Sequence, residues 1–262
     1  MSKVTSKDGT EIAYEKTGKG PELILVDGAL IYRSFGPMPE LAKLLAPNFT
    51  VTTYDRRGRG ESGDTKPYAL EREVEDLNAL IDAAGGSAYV YGISSGACLA
   101  LESAIRLGRK ISKLAMYEAP YSSAKGASQA WKDYRTQLAK LLSEDRRGEA
   151  VVLFMQFVGT PDAQIEGMRH APVWSMFEAV APTLVYDAAA MGVDRQVPVE
   201  QASRVAVPSL VMNGQLGHPF MLDTAKALAK AIPHAQLRTL EGQRHDVDSK
   251  VLAPVLVEFF TK

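Results

Sequence analysis

The chain has 262 residues, 46% of them hydrophobic and 23% charged, the balance of a globular protein able to bury a sizeable core. Thirty Lys and Arg against thirty-one Asp and Glu give a formal charge of -1, so no global field draws the chain to nucleic acid or to an anionic lipid surface. The single cysteine, Cys98, excludes an intrachain disulfide, and no Cys or His cluster has ligand spacing, so a structural metal is not expected.

The N-terminal stretch Met1 to Glu15 is polar and carries no apolar signal core, and no segment approaches the roughly 20 apolar residues of a spanning helix. A cytoplasmic location and no membrane partner are therefore expected. A homodimer is compatible with this composition. Alternation in Lys3 to Ser6 and Glu11 to Lys16 around the turn dipeptide Asp8-Gly9 predicts an opening β-hairpin. Leu23 to Val26 is a continuous apolar run ending at Asp27-Gly28, as expected of a strand buried on both faces, and Phe49 to Tyr54 repeats the pattern. Met38 to Leu45 between them reads as a helix.

From Leu70 to Ala84, Val74, Leu77, Leu80 and Ile81 recur at helical spacing, and Gly85-Gly86 supplies a stop. Strand Ala88 to Tyr91, a turn at Gly92 to Gly96 and a helix Ala97 to Arg106 follow. Lys113 to Tyr117, Ser209 to Met212 and Gln236 to Leu240 read as later strands, and Lys250 to Phe260 as a C-terminal helix. Strands alternating with helices predict an α/β fold with a mainly parallel sheet. Residues 121–205 break the alternation with long helical stretches and both tryptophans. The expected organisation is a core from 1–120 and 206–262, with an inserted helical cap at 121–205. Trp131, Phe157, Trp174 and Phe177 in that insertion either wall a pocket or fill the cap's own core.

Gly92-Ile93-Ser94-Ser95-Gly96 matches G-x-S-x-G, a strand-to-helix turn that exposes a serine. A chain of this composition would contain such a match by accident about one time in ten, so the context decides, and here an apolar strand precedes it and a helix-forming run follows. A serine hydroxyl is a poor nucleophile until a base accepts its proton. In the fold that usually carries this serine turn the triad runs Ser, acid, His with the histidine on the loop after the last strand, which points to His245 among the four histidines. His170 lies in the predicted cap and His234 at a helix end.

With these residues in view, the chain resembles the α/β-hydrolase superfamily, in particular its small capped serine esterase and cofactor-free haloperoxidase-like branch. The resemblance runs over nearly the whole length through Asp27-Gly28-Ala29-Leu30, Asp55-Arg56-Arg57-Gly58-Arg59-Gly60-Glu61-Ser62-Gly63, the serine turn and the His245 loop. It implies a hydrolase acting on a small-molecule ester or related acyl substrate without a cofactor. Perhydrolysis, C–C hydrolysis, lyase chemistry and a small-molecule receptor on the same framework are its alternatives. By position, the backbone N–H groups of Ala29 and Ser95 would form the oxyanion hole, and His218 would lie on a loop facing the site. The charged turn after Asp55 would pack beneath the site. The pattern departs from the family at Asp27, where histidine is usual, and at Leu30, where proline is common. A carboxylate at Asp27 would either hydrogen-bond the neighbouring loop as the imidazole does or perturb the site by its charge.

The usual seat for the acid, after strand Ser209 to Met212, holds Asn213-Gly214-Gln215-Leu216-Gly217-His218-Pro219 and no carboxylate before Asp223. Some members take the acid from the neighbouring strand end, here Glu118. Asp246 and Asp248 compete by proximity to His245, and Glu118 as a plain surface residue is the remaining alternative.

Overall fold

A computed structural model describes residues 1–262. Strands β1 (Ser2–Thr5), β2 (Glu11–Thr17) and β3 (Glu22–Val26) lead to α1 (Met38–Leu45), β4 (Thr50–Tyr54), α2 (Leu70–Ala83), β5 (Ala88–Ile93), α3 (Ser95–Leu107) and β6 (Ile111–Tyr117). Six helices follow without a strand: α4 (Ala127–Ser143), α5 (Arg147–Phe157), α6 (Asp162–Arg169), α7 (Val173–Val180), α8 (Leu184–Ala190) and α9 (Val199–Ala202). The chain then returns to the sheet through β7 (Ser209–Gly214), α10 (Pro219–Ala231), β8 (Ala235–Leu240) and α11 (Ser249–Thr261). No helix is long and apolar enough to cross a membrane.

The eight strands order as β1-β2-β4-β3-β5-β6-β7-β8, with β2 antiparallel to both its neighbours and every pair from β4 to β8 parallel. Because successive side chains of a strand point to opposite faces, the apolar runs serve two cores at once. Leu23 and Leu25 join Leu41, Leu45, Leu256 and Phe260 of α1 and α11 on one face. Ile24 and Val26 join Val74, Leu77, Leu101 and Leu228 of α2, α3 and α10 on the other. Each such aliphatic side chain removed from water contributes about 1.5–3 kcal/mol before entropy is counted. The helices α4–α9 pack through Trp131, Leu138, Val151, Ile165 and Trp174 into the second core.

Parallel strands emerge at one edge of the sheet, and the crevice outside their carboxyl ends is where an α/β fold places its ligands. At that edge lie Gly28-Ala29 after β3, Ser94 after β5, Glu118 after β6, Gln215 to His218 after β7 and His245 after β8.

Candidate active site

Ser94 stands between β5 and α3 with φ 55° and ψ -130°, a conformation that a side chain adopts only when its surroundings impose it. The imposition is steric. A Cβ on Gly92 would lie 2.4 Å from the carbonyl oxygen of Gly96, and one on Gly96 would lie 2.3 Å from that of Val26, so strand, turn and helix close only around glycine. The Ser94 N–H donates to the Tyr117 carbonyl at 3.0 Å, while its hydroxyl makes no hydrogen bond to protein and lines a cavity of about 670 Å³. Ser95 turns the other way: its Oγ donates to Oδ1 of Asp187 at 2.7 Å, in the interior.

His245 lines the same cavity, with Nδ1 2.7 Å from Oε2 of Glu118. The Glu118 side chain is fully buried, and its other oxygen, Oε1, accepts the Gly214 N–H at 2.9 Å. Glu118 has φ 47°, which turns its side chain off the end of β6 toward β7. The histidine loop is fastened by the Tyr117 hydroxyl, which donates to the Arg244 carbonyl, and by the Leu216 N–H on the Gln243 carbonyl at 2.8 Å. When His245 donates its Nδ1–H to Glu118, Nε2 is left as the acceptor of the ring.

The competing acids are placed elsewhere. Asp248 caps α11, accepting the Lys250 N–H at 2.8 Å, Asp246 is exposed at the cavity rim, and Asp223 sits on α10.

The turn after β3 supplies the second component. The N–H groups of Ala29 and Ser95 have no protein acceptor, and both residues line the cavity. Below them, Arg56 donates to the Asp27 carbonyl at 3.2 Å and Arg59 to the Gly28 carbonyl. Because a trans peptide points its C=O and N–H in opposite directions, fixing the Gly28 carbonyl underneath aims the Ala29 N–H upward into the cavity. Arg56 pairs with Glu73 and Asp187, and Arg59 with both oxygens of Asp187, all of them buried. Burial works to raise the Asp187 pKa, but the guanidinium groups of Arg59 and Arg56 hold it below the ordinary carboxylate value. Leu30 has φ 62°, which the pyrrolidine ring forbids, so the proline common at this position cannot occupy it here.

Asp27 does not take the hydrogen-bonding role of the usual histidine. Its Oδ1 is buried without a partner, and burial pushes the carboxyl up to about 7, with Arg59 and Arg56 offsetting part of the rise. The neighbouring carbonyls are held by the arginines instead.

Of the residues expected to wall a pocket, Trp131, Phe157 and His218 line the cavity and Trp174 and Phe177 do not. Trp174 is turned into the helical insertion, its indole N–H on Glu178 at 3.0 Å and its ring beside Arg169, while Phe177 meets Phe35 at 5.5 Å. Tyr134 and Phe220, which sequence reasoning passed over, also line it; Tyr134 lies one helical turn beyond Trp131, a spacing that could have found it. Arg195 lines it too, from a loop with no periodicity to mark it. No group of three or more His, Cys, Asp and Glu side chains is arranged to hold a metal ion.

Residues 26–249 match the model of the Alpha/beta hydrolase family. This chain belongs to that family. An alpha/beta hydrolase from Sphaerobacter thermophilus DSM 20745 is 50% identical, with a TM-score of 0.91 over 99% of this chain and 100% of that one. The uncharacterized hydrolase YraK of Bacillus subtilis (strain 168) is 30% identical over 161 residues, 55% of this chain and 59% of its own length, so the match spans less than two thirds of that relative. The pimeloyl-acyl-carrier-protein methyl ester esterase of Xanthomonas campestris pv. campestris (strain B100) is 28% identical over 87% of this alpha/beta hydrolase and 89% of its own chain.

Proposed function

We propose that this alpha/beta hydrolase cleaves a small carboxylic ester or related acyl compound, with Ser94 as nucleophile, His245 as general base and then acid, and Glu118 as the acid that orients His245. The observation that carries the reading is the buried Glu118 carboxylate at 2.7 Å from Nδ1 of a histidine that shares its cavity with a serine on a strained turn.

In this reading Nε2 of His245 takes the proton from Ser94 as Oγ bonds to the substrate carbonyl carbon, and the carbonyl π electrons move onto oxygen. That oxyanion is received by the N–H groups of Ala29 and Ser95; one such donor is typically worth 10²–10³ in rate. When the C–O bond to the leaving group breaks, the imidazolium returns its proton to the departing alkoxide and an acyl-enzyme remains. Water then repeats the sequence, giving up a proton to His245 as it attacks, and Ser94 leaves with that proton. Glu118, held by the Gly214 N–H, fixes the tautomer and stabilises the imidazolium. Support for ester substrates also comes from the methyl ester esterase among the relatives.

The test is fluorophosphonate labelling followed by peptide mass spectrometry, together with hydrolysis of p-nitrophenyl esters of increasing acyl length. Modification of Ser94 and ester turnover that both vanish in Ser94→Ala are expected. A label on Ser95, or a folded protein that takes no label, contradicts the assignment.

A further inference from the structure

The cavity wall contains one cation that nothing in the protein neutralises. Arg195, on the loop between α8 and α9, has φ 58°, and its backbone carbonyl accepts the Ser122 N–H at 2.8 Å. Its Nε donates to the Pro120 carbonyl, two residues beyond Glu118, which ties the guanidinium to the catalytic edge of the sheet. Three rings surround the group, with its central carbon 5.7 Å from Trp131, 5.1 Å from Phe157 and 5.1 Å from Phe220. These come from α4, α5 and α10, so the guanidinium plane is held from three directions.

Its two terminal nitrogens have no acceptor and no carboxylate partner in the protein. Asp187, the other ionised group deep in the cavity wall, is already committed to Arg56, Arg59 and the Ser95 hydroxyl. The remaining acid, Asp246, is exposed at the rim. Removing an ion from water is unfavourable, and ring faces recover only part of the lost hydration. An arginine in this state has its terminal N–H groups available to an anion. The planar fork of N–H donors matches a carboxylate, which it grips with two parallel bonds. No lysine or second arginine lines the cavity, so a single negative charge is balanced where a phosphate dianion would not be.

From this arrangement we infer that the substrate is an ester or lactone that also carries a free carboxylate, bound by Arg195 while its acyl carbon faces Ser94. The inference rests on the hydrolase reading above and specifies its substrate class. Arg195 then selects and positions substrate and takes no part in proton transfer.

The experiment compares p-nitrophenyl monoesters of the dicarboxylic acids from succinic to suberic with the p-nitrophenyl esters of monocarboxylic acids of equal chain length. In the intact protein the ratio of kcat/KM, charged over neutral, should peak at one length at roughly tenfold or more, and Arg195→Gln should lower that ratio by roughly 10- to 100-fold, chiefly through KM. Arg195→Lys, which keeps the charge but not the fork, should fall between. Free dicarboxylate of the preferred length should raise the Tm of the intact protein and not that of Arg195→Gln. If no length favours the charged ester, or if the ratio survives in Arg195→Gln, the assignment is wrong. Should Arg195→Gln fail to fold, the charged-to-neutral ratio and the dicarboxylate Tm shift of the intact protein decide it. Fluorophosphonate labelling in parallel separates the two readings. A labelled Ser94 without carboxylate preference removes only the role of Arg195, whereas a Tm shift with dicarboxylate but no labelling removes the hydrolase reading and leaves the anion site.

Discussion

Glu118 and Gly217 are fitted to each other: a Cβ on Gly217 would lie 2.4 Å from Oε1 of Glu118, closer than any real contact allows. In the loop after β7, where an aspartate is usual in the family, Gly217 leaves room for a glutamate from β6 that reaches His245 at 2.7 Å. Gly217→Ala should therefore displace the carboxylate and lower kcat by roughly tenfold or more while the chain still folds, because a misplacement of about 1 Å in a catalytic array is enough for large rate losses. Steady-state kinetics with circular dichroism on the same sample checks this. An alanine variant with the parent's kcat would show that the fit is incidental.

Glu118→Gln keeps the shape and removes the charge. In a serine protease the equivalent change in the acid costs about 10⁴ in kcat, because the wrong tautomer is favoured and the imidazolium loses its counter-charge. A loss on the order of 10³ or more is expected here, with Asp246→Asn and Asp223→Asn close to the parent. Near-normal turnover in Glu118→Gln would move the orienting role to another residue.

Beneath the site, Asp187 ties Arg56, Arg59 and Ser95 together, and the two arginines hold the carbonyls of Asp27 and Gly28. Asp187→Ala leaves two buried guanidinium groups short of a counter-ion, a change that typically destabilises by about 3–5 kcal/mol. Urea unfolding should register that loss, and kcat should fall as well because the Ala29 N–H is no longer aimed. Stability unchanged within error would mean the network contributes nothing to the fold.

The sheet was legible because strands buried on both faces must be continuously apolar, as Leu23 to Val26 is, and the serine turn because its glycines have no substitute at their spacing. The juxtaposition of Glu118 and His245 needed the family resemblance as well as a geometric rule, because parallel strands deliver their C-terminal residues to one edge but their order is not written in the sequence. Within residues 121–205 such reasoning stops. Which face of a short helix meets the cavity depends on how six helices pack, and nothing in the local pattern separates Trp131, which lines it, from Trp174, which does not. Asp187 and Arg195 were equally hidden, since the hydrogen-bond partners of their side chains lie more than 70 residues away in sequence.

That distinction can be measured. Trp174 is buried among α5, α6 and α7, away from the cavity, so Trp174→Ala should act as a core truncation, lowering Tm by roughly 5–10 °C without altering the dependence of kcat/KM on acyl length. Phe157→Ala, which opens the wall itself, should shift the preferred acyl length upward. An altered length profile in Trp174→Ala would place that side chain in substrate binding after all.

Asp27 makes stability depend on pH in an uncommon direction. Its Oδ1 is buried without a hydrogen bond, and burial pushes the carboxyl from an ordinary 3.8 up to about 7 against the partial opposition of Arg59 and Arg56, with Asp55 adding to the rise. Between those two values the folded chain holds a proton that the unfolded chain has released. Unfolding therefore releases protons in that window, and stability must fall as pH rises through it, the reverse of a salt-bridged aspartate. At 1.36 kcal/mol per unit, the change from pH 5 to pH 8 amounts to about 3 kcal/mol. Asp27→Asn removes this titration while keeping the shape, and every other group titrates in both proteins and cancels in the comparison. The fall in Tm between pH 5 and pH 8 should thus be smaller in Asp27→Asn than in the parent, by roughly 5–10 °C. Identical Tm profiles for the two proteins across that range would mean that Asp27 ionises in the folded chain as it does in water, and that an unseen partner satisfies it.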